Sequence, residues 1–409
     1  MVKIAILGHG VVGSGVVEVL TKNAESIRKR CGQEIEIKHI LDIRDFSGLS
    51  YEDKFTKNFN DILNDPEVSV VAEVMGGITP AYEYAKASLC AGKSVVSSNK
   101  ELIASKGAEL LEIARENNVN LFFEASVGGG IPIIRPLHQC LAANDITEIA
   151  GILNGTTNFI LTKMIHEGVA FNEVLTLAQE LGYAERDPSA DVDGDDACRK
   201  ICILASLAFG KHIYPENIYT EGIRKITLAD VEYAKEWGGV IKLIAYAAKS
   251  GNGVEMMTCP AFINSSSQLA GIEDVFNGIL VRGDAIGEVV FYGKGAGKLP
   301  TASAVMGDII DAVKLKGTSK SLHWKDSEIN TVKDWKKYKT AFYMRFNNIN
   351  NTTANNFIPE NSKILTAQNS SNETAFITSV ITETEAENLI NEIEKTGAKL
   401  LNKIRVLDY

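Results

Sequence analysis

From Gly182 to Lys200 the chain reads Gly-Tyr-Ala-Glu-Arg-Asp-Pro-Ser-Ala-Asp-Val-Asp-Gly-Asp-Asp-Ala-Cys-Arg-Lys, with six carboxylates between Glu185 and Asp196. Carboxylates at this density can hold a cation. Calcium in an EF-hand is a poor reading, because Pro188, the spacing and the lack of a Glu at the twelfth position of any loop oppose it. A cationic substrate, such as the ammonium group of an amino acid, fits better. The stretch Ile201 to Gly210 that follows is apolar nearly all round and predicts a buried helix. Asp196 and Lys200 fall at i and i+4 on one face of its polar N-terminal end. Exposed, such a pair would be a helix-stabilising contact worth about 0.3–0.5 kcal/mol. A lysine on an otherwise buried helix, however, needs a partner or a task. Burial of that lysine would lower its pKa below the ordinary value of about 10.4.

A first unit must position these groups. Val2 to Leu7 is almost wholly apolar, Gly8-His9-Gly10-Val11-Val12-Gly13 follows, and Ser14 to Leu20 continues at helical spacing. Strand, glycine turn and helix in that order suit a pyrophosphate: one glycine turns the chain, one admits the anion to backbone N–H groups, and one lets the helix pack close. The second strand, Ile35 to Ile43, ends in Asp42 and Arg44. A carboxylate there accepts from a ribose 2′-hydroxyl and favours NAD, whereas Arg44 suits the 2′-phosphate of NADP. Both readings stay open, with Arg44 leaning toward NADP. Strand and helix signals then alternate: Val68 to Val74, a helix capped by Thr79 and Pro80, Val95-Val96, a helix from Glu101 to about Asn117, and Val119 to Phe123. That alternation predicts a parallel, doubly wound α/β sheet, with Lys100 and Glu124 at the carboxyl ends of strands, where ligands sit.

Two further glycine-rich segments stand out. Val127-Gly128-Gly129-Gly130-Ile131-Pro132 reads equally as a loop that aims backbone groups at a ligand or ion and as a hinge. Gly293 to Gly297, leading into a helix, is either a second phosphate-facing loop or the return of the chain to its first domain. Between them, Val240 to Ala247 and Val254 to Ile263 flank a turn and predict a hairpin in a mixed α+β middle domain, though the first arm is ambiguous with helix. Length sets the scale, since 409 residues exceed one core and predict two or three domains. A net charge of −10 argues against nucleic acid or an anionic membrane as main partner. Six singly scattered cysteines give no zinc or disulfide framework. With no basic leader, no cleavage site and no apolar run long enough to span a bilayer, the expected location is cytoplasmic.

In their order these residues resemble homoserine dehydrogenase. The resemblance runs from Met1 to about Asp311 and rests on Gly8 to Gly15, Ser98-Asn99-Lys100, Glu124 to Pro132, Asn154-Gly155-Thr156-Thr157-Asn158, Gly182 to Lys200, and Gly295-Ala296-Gly297 before Pro300. It implies NAD(P)-dependent interconversion of L-homoserine and L-aspartate 4-semialdehyde, on the route to threonine, methionine and isoleucine. It further implies that Lys200 handles the proton, that Asp196 and Lys100 join it in catalysis, and that Glu185, Asp191 and Asp196 contact substrate. Gly8, Gly10, Val11, Val12, Gly13, Arg44, Lys100, Gly182, Gly295 and Gly297 are the implied cofactor contacts. Glu124, Val127, Gly129 and Ile131 resemble the family's sodium site, and members of the family form homodimers or homotetramers. The resemblance divides the chain into a Rossmann domain over 1–130, completed by about 295–313, and a substrate and dimerisation domain over 131–294. A small α+β domain over 335–409 resembles a degenerate ACT domain. There the polar run Asn347 to Asn356 replaces the expected turn and helix, which puts threonine control in doubt. A charged, apolar-poor linker is expected from Lys314 to Asp334. A scaffold that kept the fold and lost the chemistry, and a dehydrogenase of another small amino acid, are the competing readings.

Overall fold

A computed structural model describes residues 1–318, 322, 324–326, 330–366 and 373–409. Strands β1 (Val2–Leu7), β2 (Ile35–Leu41) and β3 (Phe55–Thr56) are joined by helix α1 (Val11–Cys31) and by a loop. After the short α2 (Asn60–Leu63) come β4 (Val68–Glu73), α3 (Ala81–Cys90), β5 (Ser94–Ser97), α4 (Lys100–Glu116) and β6 (Leu121–Phe122). All six strands are parallel, in the order β3-β2-β1-β4-β5-β6, which is the dinucleotide-binding arrangement with its switch point between β1 and β4. The near-continuous apolar runs are explained by burial on both faces: Ile4 and Ile6 pack with Val16 and Leu20, whereas Ala5 and Leu7 pack with Leu89 and Leu102. Helix α3 begins at Ala81, so Pro80 rather than Thr79 occupies its N-cap.

The middle of the chain supplies β7 (Ile146–Ile152), α5 (Gly155–Glu167), α6 (Phe171–Glu180), α7 (Ser189–Val192), α8 (Asp195–Phe209), β8 (Tyr219–Thr220) and α9 (Leu228–Trp237). Next come the long hairpin β9 (Gly239–Ser250) and β10 (Gly253–Asn264), a second hairpin β11 (Phe276–Gly283) and β12 (Gly287–Lys294), and α10 (Lys298–Lys314). The first arm of the long hairpin, ambiguous in sequence, is strand throughout its pairing with the second. Helix α10 returns to the first sheet, where Ala302, Val305 and Ile309 share a core with Val16 and Val17 of α1. The second glycine-rich segment is therefore the return of the chain.

The last region comprises β13 (Lys339–Asn347), the one-turn α11 (Asn351–Ala354), β14 (Lys363–Leu365), β15 (Glu373–Ile377), β16 (Ile381–Thr382), α12 (Glu383–Glu394) and β17 (Lys399–Leu407). Its main strands lie in the order β17-β13-β15-β14, the ferredoxin-like order of a β-α-β-β-α-β unit with its first helix shrunk to α11. Asn350 caps that turn through Thr353 N at 2.9 Å, which is how the polar run is accommodated. The unit is not a separate sheet, because β17 pairs in parallel with β10 and continues the middle sheet. Of the expected linker, residues 319–321, 323 and 327–329 lie outside the described residues. Its remainder holds two apolar anchors: Leu322 and Trp324 are buried, and the Trp324 indole donates to His212 Nδ1 at 2.8 Å. Among the described residues no helix is long and apolar enough to cross a membrane.

Candidate active site

The glycine turn has the three properties its sequence predicts. Gly8 has φ +97°, and a Cβ on Gly13 would lie 2.0 Å from the Gly8 carbonyl oxygen, whereas a Cβ on Gly10 would meet nothing within 4 Å. Gly10 is the N-cap of α1 with no side chain closing the helix end, so its first N–H groups, next to Val11 and Val12, remain available to an anion. A cleft of about 390 Å³ lies alongside, lined among others by Gly8, Gly10, Arg44, Val74, Met75 and Gly76. At its rim Asp42 is already engaged: Arg44 Nη2 donates to Oδ2 at 2.8 Å, Arg44 Nε to Oδ1 at 3.0 Å, and His9 N to Oδ2 at 2.8 Å. The Arg44 side chain holds the Asp42 carboxyl well below the usual carboxylate range. Arg44 itself is more than half exposed and lies over the Phe46 ring, 5.1 Å from its centroid. The two residues are thus paired with each other at the cleft rim.

The helix α8 carries the second half of the site. Asp196 is almost fully buried and is held between two lysines: Lys200 Nζ donates to Oδ2 at 2.7 Å, and the Lys100 ammonium contacts Oδ1. Lys200 also donates to the Leu153 carbonyl at 2.8 Å. An ammonium has three donors, so one remains. The pair is thus buried, and the reading of Asp196 with Lys200 as an exposed helix contact does not hold. Burial would raise the Asp196 carboxyl, but Lys200 and Lys100 outweigh it and hold the group well below its ordinary value. Burial pushes the Lys200 amine down, with Lys100 adding to the effect and Asp196 opposing it. For Lys100 the attraction of Asp196 exceeds the cost of burial, so its amine is raised.

Asparagine 154 joins the cluster from a distant segment. Its Nδ2 donates to Asp191 Oδ1 at 2.7 Å and to Asp196 Oδ2 at 2.8 Å, while its Oδ1 accepts from Thr157 N at 2.8 Å as the N-cap of α5. Asp191 is pushed up by burial and by the neighbouring charge of Asp196. Lys100, Asp191, Asp196 and Lys200 are therefore brought together. Glu185 and Gly182 are not in hydrogen-bond contact with them among the described residues; both are exposed in the loop after α6, where the Glu185 carbonyl accepts from Gln179 Nε2 at 3.0 Å. The Asn-x-x-Thr pattern signals the cap at Asn154, but nothing local signals its two carboxylate partners.

The two remaining glycine segments touch each other. A Cβ on Gly129 would lie 2.4 Å from the Gly295 carbonyl oxygen, and Gly130 N donates to Lys294 O at 3.2 Å. Gly297 is the N-cap of α10. The buried carboxylate of Glu124 accepts from Ile133 N, Ile134 N and Arg135 N at 2.6, 2.9 and 2.8 Å, so it organises the loop end. The carbonyl oxygens of Val127, Gly129 and Ile131 accept no backbone hydrogen bond among the described residues. They have the hard-oxygen chemistry that an alkali cation takes.

A doubly wound dinucleotide fold with a buried lysine–carboxylate cluster in the adjoining region belongs to the class of nucleotide-dependent enzymes, and the family match makes it an NAD(P)-dependent oxidoreductase acting on a CH–OH group. Comparison with known proteins gives the family: residues 8–124 match the profile described as homoserine dehydrogenase, NAD binding domain, and residues 132–310 the one described as homoserine dehydrogenase. A homoserine dehydrogenase of Synechocystis is 43% identical over 363 residues, covering 84% of this chain and 82% of that protein. The chain belongs to the homoserine dehydrogenase family. A crystal structure of a homoserine dehydrogenase from Thiobacillus denitrificans superposes with a TM-score of 0.93 at 36% identity, covering 100% of this chain and 98% of that one. A hyperthermophilic archaeal homoserine dehydrogenase in complex with NADPH superposes with a TM-score of 0.65 at 30% identity, covering 76% of this chain and 97% of that one.

Proposed function

We propose that this protein interconverts L-homoserine and L-aspartate 4-semialdehyde with NADP or NAD, in the biosynthesis of threonine, methionine and isoleucine, and that Lys200 handles the proton. The observation that carries the assignment is the buried Lys200 side chain with two donors fixed and, among the described residues, no partner for a third. The bound dinucleotide supplies the hydride acceptor or donor. In oxidation the hydroxyl proton must leave with the hydride, and in reduction it must return to the carbonyl oxygen. We assign the proton to Lys200, whose amine is lowered by burial and by Lys100: its neutral form takes the hydroxyl proton in oxidation, and the ammonium so formed returns it in reduction. Asp196 orients both ammonium groups, and Asp191, which makes no ion pair with a lysine among the described residues, is assigned to the substrate ammonium. Glu185, in the exposed loop, is assigned to the same group once substrate is bound.

The domain assignments follow: 1–130 with 295–313 for the dinucleotide, 131–294 for substrate and self-association as a homodimer or homotetramer, and 335–409 as an ACT-like unit. Gly8 to Gly13, Arg44, Lys100, Gly182, Gly295 and Gly297 are assigned to the cofactor. The unbonded carbonyls of Val127, Gly129 and Ile131, braced by Glu124, would hold a sodium ion and fix the contact between the two glycine loops. Homoserine-dependent reduction of NAD(P) by the purified protein tests the reading, and its absence with both nucleotides, across pH and with sodium or potassium present, would overturn it. The anchored guanidinium of Arg44 supports a lean toward NADP. Arg44→Ala should weaken NADPH more than NADH; equal losses would show that Arg44 does not read the 2′-phosphate.

A further inference from the structure

Glu73 ends β4 and is completely buried, with no cationic partner in hydrogen-bond contact among the described residues. Its Oε1 accepts from Met75 N at 2.9 Å and its Oε2 from Ser97 Oγ at 2.6 Å. Each of those bonds leads to a different functional surface. Val74, Met75 and Gly76 line the dinucleotide cleft. Ser97 Oγ in turn accepts from Asn99 N at 3.0 Å, and Asn99 caps α4 through Leu102 N at 3.1 Å while donating to Gly77 O at 2.6 Å. The next residue is Lys100, whose ammonium reaches Asp196.

We propose that Glu73 is a positioning residue for the reaction: its carboxylate ties the backbone wall of the dinucleotide cleft to the turn that sets Lys100 against Asp196. A carboxylate meets both donors, the Met75 N–H and the Ser97 hydroxyl, with one oxygen each; an amide keeps one acceptor and turns an N–H group toward Ser97 Oγ, so the hydroxyl that accepts from Asn99 N has to reorient. A buried charge with no countercharge is retained at a cost, which an apolar residue filling the same space would avoid. Burial indeed pushes the Glu73 carboxyl up to about 7.

The inference rests on the homoserine dehydrogenase reading, and a double-mutant cycle separates the two. Wild type, Glu73→Gln, Lys100→Ala and the double variant are compared at pH 8.5, where the Glu73 carboxylate is ionised, for kcat and KM with homoserine. Enzyme concentration is raised for slow variants but kept well below that of homoserine, so that kcat and KM remain steady-state quantities. Glu73→Gln should lower kcat/KM by about 10- to 100-fold, the scale of an ångström-sized misplacement, and should do so mainly in kcat. In the Lys100→Ala background the same change should cost less than about 3-fold, because the group it positions is gone. Losses that multiply unchanged on the two backgrounds, or a Glu73→Gln enzyme within about 2-fold of wild type, overturn the proposal. If Glu73→Gln does not fold, Ser97→Ala breaks the same path one bond later and carries the identical cycle. A wild-type protein without homoserine oxidation sinks the underlying reading, whereas an active wild type with independent losses sinks the Glu73 assignment alone.

Discussion

Two buried lysines lie on either side of the first turn of α5, and they do opposite things. Lys200 meets Asp196 and the Leu153 carbonyl, and Asn154, the cap of α5, holds that carboxylate in place. Lys242 on β9 donates to Ile272 O at 2.6 Å and to Asn158 Oδ1 at 3.2 Å, both neutral acceptors. Asn158, one turn beyond Asn154, also donates to the carbonyls of Ile272, Asp274 and Phe276, so with Lys242 it pins the segment entering β11. Burial lowers both amines, Lys242 to about 8. A lowered lysine is therefore not in itself a catalytic one. What distinguishes Lys200 is a carboxylate partner shared with Lys100, whose side chain is 39% exposed and opens the cluster to a substrate.

The largest effect expected from this contrast is at Lys200. Lys200→Ala should lower kcat by roughly 100- to 10,000-fold, the usual range for general acid–base catalysis, with cofactor affinity nearly unchanged because the Gly8 to Gly13 turn is untouched. Lys200→Arg is sharper, since a guanidinium keeps the charge and cannot deprotonate at working pH. Near-normal kcat in Lys200→Arg would remove the proton-handling role. Lys242→Met, by contrast, should leave kcat within about 2-fold. A large loss there would erase the distinction between the two lysines.

Lys242 should show itself in stability and its pH dependence. Its folded value of about 8 lies below its ordinary 10.5. Between those values the unfolded chain holds a proton that the folded chain lacks, so the stability contribution is complete above 10.5 and is lost as pH falls through 8. Relative to Lys242→Met, the wild type should gain up to about 3 kcal/mol across that window, measured by denaturant unfolding at several pH values. A difference that stays flat with pH would mean that Lys242 carries no such shift.

Local signals were legible in the sequence and distant partnerships were not. The glycine turn, the alternating elements and the i, i+4 relation of Asp196 and Lys200 all depend on neighbours within a few residues, and each has its counterpart in the structure. Burial of the pair was signalled by the apolar helix that carries it. Asn154 is marked in the sequence as part of a motif and as a helix cap, but its carboxylate partners 37 and 42 residues away are not; the pairing of Glu73 with Ser97, 24 residues apart, has no local mark in either segment. The ACT-like unit was legible as strands and a helix, whereas its fusion to the middle sheet through β10 and β17 depends on a pairing across about 140 residues that side-chain pattern does not encode.

The smallest expected effect is also the most direct comparison, because Asn154 and Asn158 are the same residue type one turn apart at the start of α5. Asn154→Ala removes an N-cap, a loss of about 1 kcal/mol in stability, together with the hydrogen bonds to the Asp191 and Asp196 carboxyl groups. Asp196 then keeps its lysines but loses the bond that fixes its orientation, so kcat/KM for homoserine should fall about 10-fold. Asn154→Ser restores the cap without reaching both carboxylates, so it should recover stability and leave the kinetic defect. Asn158→Ala should do the reverse: it frees three carbonyls and Lys242, costing about 1–3 kcal/mol, with kcat/KM in the folded fraction within about 2-fold of wild type. If both alanine variants lost turnover and stability in the same proportion, the two lysine clusters would be one cooperative unit, and the division of labour across α5 would fail.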